Sequence, residues 1–181
     1  MPSFDDILRE YGRQIALPWR NDTPPAGRVW IAWYDKTLER RVRGQIHEFE
    51  DATRKAGHGW DLLDLVALFP SWIARHEFFP LLLDQPEELR TVLPEFEAYL
   101  VNMLKARLNA ATANDVVAVT GCGSLFGLVR VSTLISQVAP AIQGRLLLPF
   151  PGNYQSSVYR LLDARDGWNY HAIPIPSTDL A

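Results

Sequence analysis

Residues 115–130 read DVVAVTGCGSLFGLVR. An apolar, β-branched run from Asp115 to Thr120 ends in a glycine-spaced turn, and a second apolar stretch follows. The run has the length and composition of a buried strand. The spacing after it predicts a helix over residues 124–138, stopped by Pro140. A strand, a tight turn and a helix in that order form the repeating unit of parallel α/β proteins. The turn, Thr120, Gly121, Cys122, Gly123 and Ser124, is where such a protein can hold a phosphate or a carboxylate. Amides at a helix start lack partners and lie at the positive end of its dipole. A plain connection with Ser124 as N-cap fits the same residues.

The pattern repeats on both sides. RVWIAWY (28–34) reads as a strand buried on both faces. Asp35 then caps a helix expected over Lys36–Ala56, with Leu38, Val42, Ile46, Phe49 and Thr53 on one face and Gly57 at its end. A second strand, Trp60–Asp64, leads into a helix through Trp72 and Ile73. HEFFPLLLDQPEEL (76–89) reads as a break between helices. Asp84 and Glu87 have capping-box spacing there, and Pro86 suits a first helical turn. Pro94 is expected to restart or kink the helix whose stripe is Phe96, Leu100, Met103, Leu104 and Leu108. RLLLPF (145–150) is a fourth strand, PGNYQSS a loop, Val158–Leu162 a short helix, and Tyr170–Ile175 a last strand. Pro174 and Pro176 mark that strand as an edge.

Ahead of all this, residues 3–16 form a Ser3-capped amphipathic helix, and a proline-rich loop runs on to residue 27. The expectation is one domain over 1–181. Residues 1–27 supply the helix and loop, and residues 28–176 the sheet and its helices. The fold class is three-layer α/β, with a mostly parallel sheet of about five strands ordered 2-1-3-4-5. It is P-loop- or Rossmann-like without a Walker A lysine.

The departures bear on function. No Lys follows Gly123, so the P-loop pattern is incomplete. The dinucleotide fingerprint fails too, because Phe126 stands where its third glycine belongs and no acid lies near residue 141. Ser124 lacks the second glycine of a nucleophile elbow. The anion-site candidates are therefore Thr120, Gly121, Gly123 and Ser124, joined by Asp35 and Lys36 at the end of the first strand. Asp35 and Asp64 either pair on a divalent cation or each cap a helix. His47, His58, His76 and His171 do not share metal-ligand spacing, and no metal or cofactor is expected. Cys122 is a nucleophile candidate if the helix start lowers its pKa, and otherwise a core residue. No catalytic residue is assigned.

A net charge of −3 offers no global attraction to nucleic acid. The cluster Lys36, Arg40, Arg41 and Arg43 has Glu39, Glu48, Glu50 and Asp51 to balance it, so direct DNA binding is not expected. The connector residues Phe78, Phe79, Leu81 and Leu82 either cover the sheet edge or form a docking patch for another protein. A single cysteine, an acidic N-terminal stretch and no long apolar run together fit a cytoplasmic protein without a membrane span.

Six stretches carry a family resemblance: RVWIAWYDKTLERRVRGQIHEFE, AGHGWDLLDL, LPEFEAYL, VVAVTGCGSLFGLVRVS, GRLLLPFPGNY and YRLLDARDGWNY. Together they resemble BrxB of the BREX anti-phage defence systems, from about Arg28 to Pro174. The family turn TGxGSLF stands here as TGCGSLF, and its FPG turn as Phe150-Pro151-Gly152. The resemblance implies a bacterial cytoplasmic defence protein that works beside a PglZ-like protein, an ATPase and a DNA methyltransferase. It carries over no catalytic residue. Two functions follow. One is a non-catalytic adaptor that docks PglZ or another BREX component. The other is a degenerate nucleotide- or phosphate-binding enzyme that uses the TGCGS turn, with Asp35 holding Mg²⁺.

Overall fold

A computed structural model describes residues 1–165 and 167–177. Its frame is five parallel strands: β1 (Val29–Tyr34), β2 (Gly59–Asp64), β3 (Asp115–Thr120), the first half of β4 (Arg145–Gln155) and β7 (Ile173–Ile175). They lie in the order β2-β3-β4-β1-β7. Every residue of β1 is buried, as expected for a strand with neighbours on both edges and helices on both faces. Its side chains alternate between two cores. Trp30, Ala32 and Tyr34 pack with Ile7, Tyr11 and Phe49, and Val29, Ile31 and Trp33 with Phe96, Leu104 and Leu134. That alternation builds the three layers. Helices α1 (Phe4–Ile15), α2 (Glu39–Gly44) and α3 (Ile46–Lys55) cover one face, and α6 (Leu89–Ala110) and α7 (Val131–Val138) the other. Between β2 and α6 run two short helices, α4 (Leu68–Ile73) and α5 (Phe79–Asp84).

The sequence order 2-1-3-4-5 is corrected: the first strand lies between β4 and β7, not between the second and third. β1 therefore exits over one face to reach the far edge, whereas β2, β3 and β4 advance step by step over the other. Right-handed connections require this change of face when the direction along the sheet reverses.

The α1 reading holds in detail. Ser3 and Asp6 form a capping box, and Phe4, Ile7, Tyr11 and Ile15 are buried. Elsewhere the elements are shorter than expected. The helix over 36–56 is a 3₁₀ turn at Lys36–Leu38, then α2 and α3, with the break just after Gly44. The 76–89 connector is not a simple break but contains α5, with Pro80 in its first turn. No side-chain cap forms at Asp84, and α6 runs through Pro94 without ending. The proline-rich loop includes a 3₁₀ turn at Pro25–Arg28.

The largest correction lies at the end of β4. The expected PGNYQSS loop and Val158–Leu162 helix are strand. Gly152–Gln155 pairs antiparallel with β5 (Val158–Leu161), and β5 pairs with β6 (Trp168–Asn169). The connection is Ser156-Ser157, both at positive φ (52° and 63°), the two-residue geometry that matches strand twist. A small antiparallel sheet therefore projects from the carboxyl end of the parallel one.

Candidate functional site

In open α/β sheets, ligands gather outside the carboxyl ends of the strands, where exits change face. Here that place lies between β1 and β4. The 3₁₀ turn Cys122–Leu125 closes β3. It is not the start of the helix expected over 124–138: the chain breaks at Gly127 (φ 79°), and α7 begins only at Val131. Ser124 caps nothing. Its amide and its hydroxyl both donate to the Gly121 carbonyl, at 3.0 and 2.7 Å. Gly121 is glycine for a physical reason: its φ is 77°, and a Cβ there would strike Val66 and the Asp64 carboxylate. Gly123 packs against Pro151 and Leu162.

Asp35 caps the turn after β1, accepting from the Thr37 amide at 2.9 Å and from its hydroxyl. Lys36 pairs with Asp163 of the projecting sheet's turn. Because β4 stands between β1 and β3, Asp35 lies two strand spacings, about 10 Å, from the TGCGS turn. Asp64 is one spacing farther, about 14 Å from Asp35, which rules out a shared cation. Asp64 instead accepts from the Val66 amide and from Arg43 at 3.0 Å. Asp35 is thus a cap, whereas Asp64 caps no helix: its bond to the Val66 amide closes an Asx turn, and α4 begins at Leu68 without a side-chain cap. The 162–163 turn is the element that links the two ends, with Leu162 beside Gly123 and Asp163 beside Lys36.

Further polar groups sit at this end, some of them, such as Tyr34 and Asn153, not singled out by the sequence. The Tyr34 phenol donates to Glu39 at 2.7 Å. Burial raises its pKa, and the Glu39 carboxylate adds to the effect. Cys122 is fully buried and its Sγ donates to the Pro149 carbonyl at 3.3 Å. Burial, and next the Glu39 carboxylate, push the thiol up, so it stays protonated and inert. Among the described residues, the buried Thr120 hydroxyl, Asn153 Oδ1 and Arg43 Nε have no hydrogen-bond partner. The sequence could have pointed to Glu39 and Arg43 through their four-residue spacing on one helical face. Asn153 was hidden in a segment read as loop.

The connector candidates divide by burial. Leu82 is 7% exposed and belongs to the interior, and Phe79 is half-buried. Phe78 (51%), Leu81 (45%) and, unforeseen, Leu83 (64%) face outward. Beside this ridge a groove holds Trp72, Arg75, His76 and Tyr99. His76 Nδ1 accepts from the Phe78 amide, so its Nε2–H donates to Glu95 at 3.3 Å. Residues 77–97 carry six acids against Arg90 alone, a net charge of −5, although the whole chain is only −3. The acidic surplus is therefore concentrated in the stretch of sequence that carries the exposed apolar ridge.

These features define an α/β protein with a mixed sheet, a lysine-poor sheet end and an exposed apolar ridge within an acidic segment. Residues 83–175, just over half of the chain, match the family of the BREX protein BrxB, and the chain belongs to that family. It is thus a component of a BREX phage-defence system, for which other BREX proteins are the expected partners. No curated protein and no solved structure matches it. Among the described residues no helix is long and apolar enough to cross a membrane.

Proposed function

We propose that this protein is a non-catalytic adaptor of its BREX system, docking a PglZ-like protein, or failing that another BREX component, through the ridge Phe78, Leu81 and Leu83. The observation that carries the reading is the exposure of three large apolar side chains within six residues, inside the most acidic part of the sequence. Exposed apolar surface with a polar rim is the usual composition of a protein interface. At the sheet end the Ser124 hydroxyl is used by Gly121, and both cations are paired with carboxylates, Lys36 with Asp163 and Arg43 with Asp64; among the described residues the buried Thr120 hydroxyl and Arg43 Nε stay without a partner. That leaves phosphoryl transfer at the TGCGS turn without a counter-charge, so the adaptor reading is preferred.

The test is co-elution of the purified chain with its operon's PglZ-like protein at micromolar concentration. Phe78→Glu with Leu81→Glu is expected to abolish co-elution while leaving the melting temperature within a few degrees, since both side chains are exposed. Separate elution of the unaltered proteins at both low and high salt would defeat the PglZ assignment.

A further inference from the structure

The projecting sheet builds a cavity that neither the family nor the docking reading uses. Its volume is about 570 Å³, within the range of small-molecule sites. One wall is the antiparallel sheet and the other the loop after the TGCGS turn, residues 126–132. Strand register makes the first wall aromatic. Tyr154 pairs across with Tyr159, and Tyr159 with Trp168, so the three rings stand in a row on one face. The ring centroids are 4.4 and 5.6 Å apart, and Phe150 packs on Tyr159 at 5.9 Å. Phe126, half-exposed, lines the opposite side.

Polar groups stand among these rings. Ser132 and Asn169 line the cavity. Tyr159 is 1% exposed, and its hydroxyl has no hydrogen-bond partner among the described residues. A buried phenol without a partner is uncommon, because it gives up its bonds to water and gains nothing in return. An aliphatic occupant would leave that deficit in place. A planar heteroaromatic ring supplies a face for Trp168 and Phe126 and edge atoms for the phenol. We propose that this cavity binds a planar heteroaromatic group of nucleobase size, stacked on Trp168 and hydrogen-bonded to Tyr159. The ring can arrive as a free nucleoside or as a base of a single strand, and the chemistry of recognition is the same.

The full-length chain, labelled with ¹⁵N, is titrated to millimolar concentration with adenosine, with cytidine and with a short deoxyadenosine oligonucleotide. The Trp168 indole resonance, assigned by Trp168→Phe, should shift saturably with at least one probe. Trp30 and Trp60, in the core on the other face of the sheet, should stay in place. A response to nucleosides identifies a free ligand, and a response to the oligonucleotide alone identifies a base in a strand; both support the site. Tyr159→Phe should weaken binding about tenfold. Ser132→Phe, which fills the cavity from a half-buried position, should abolish it. If Ser132→Phe disturbs the remaining indoles, Phe126→Ala replaces it and should weaken binding through loss of the half-exposed wall. The proposal is overturned if no probe moves Trp168, or if the response survives both Tyr159→Phe and a folded cavity variant.

Discussion

At the scale of single residues, burial decides what the polar groups can do. Arg145 is 6% exposed, forms no ion pair among the described residues and gives a hydrogen bond to the Gly144 carbonyl. Its guanidinium lies over Trp19 at 4.6 Å and Trp30 at 5.9 Å, where the ring faces replace part of the lost hydration. Trp19 in turn stacks flat on His58 at 3.9 Å, and His58 bonds to Asn114. This assembly closes the amino end of the sheet, where β2, β3 and β4 begin. Tyr159 shows the opposite case, a buried hydroxyl with no compensation. Removing it should help the empty protein: Tyr159→Phe is expected to stabilise the unliganded fold by about 1 kcal/mol, read from the urea midpoint at unchanged slope. Destabilisation of that size instead would show that the hydroxyl has a hydrogen-bond partner in solution. The same substitution weakens the binding proposed for the cavity, so stability and affinity move in opposite directions. Loss of packing alone would move them together.

At the scale of elements, the connection Ser156-Ser157 carries strain that its sequence does not advertise. Both residues hold positive φ, which costs a non-glycine residue about 1 kcal/mol. The usual residues for this geometry are Asn-Gly. Ser156→Asn with Ser157→Gly should therefore raise stability by about 1 kcal/mol, measured by thermal unfolding. A lower melting temperature would mean that the hairpin does not have this register. The same pair explains why the hairpin was not legible. Without an Asn-Gly signal, PGNYQSS looks like loop, and the short VYRL run fits one helical turn as well as a strand. The four parallel strands β1 to β4 were legible because each is a run of β-forming apolar residues bounded by polar or glycine signals. Their order was not, since a buried strand such as VWIAWY declares two neighbours without saying which. For the candidate site, the sequence located the sheet end and the apolar ridge. It missed Tyr34, Glu39, Arg43 and Tyr159, whose importance arises only from contacts made across the fold. Leu82 and Leu83 exchanged roles for the same reason: helical rotation in α5, not hydrophobicity, determines which one faces outward.

At the scale of the whole molecule, charge is separated in a way the total conceals. With −5 held in residues 77–97 and −3 overall, the rest of the chain is at +2. Glu87 and Glu88 are exposed in the 3₁₀ turn that follows α5, the helix of the ridge proposed to dock the partner. They belong to no ion pair among the described residues. Such charges act mainly on encounter. They steer a basic partner surface over roughly a Debye length, about 8 Å at physiological salt, and contribute little once water is excluded from the contact. Apolar contact acts later, on how long a complex lasts, and that is the role proposed for the ridge. Two substitutions at this one surface should therefore separate kinetically. Glu87→Gln with Glu88→Gln is expected to slow association with the co-eluting BREX partner several-fold at low salt and to flatten its salt dependence, with dissociation nearly unchanged. Leu83→Ala should leave association alone and speed dissociation about tenfold, because truncating a well-packed interface leucine costs more than 1 kcal/mol. Surface-based binding kinetics at two ionic strengths read both quantities. If the glutamine pair changes only dissociation, the acids lie inside the contact and not around it. If neither change has an effect, the partner docks on another face, and α5 is exposed for a reason other than this complex.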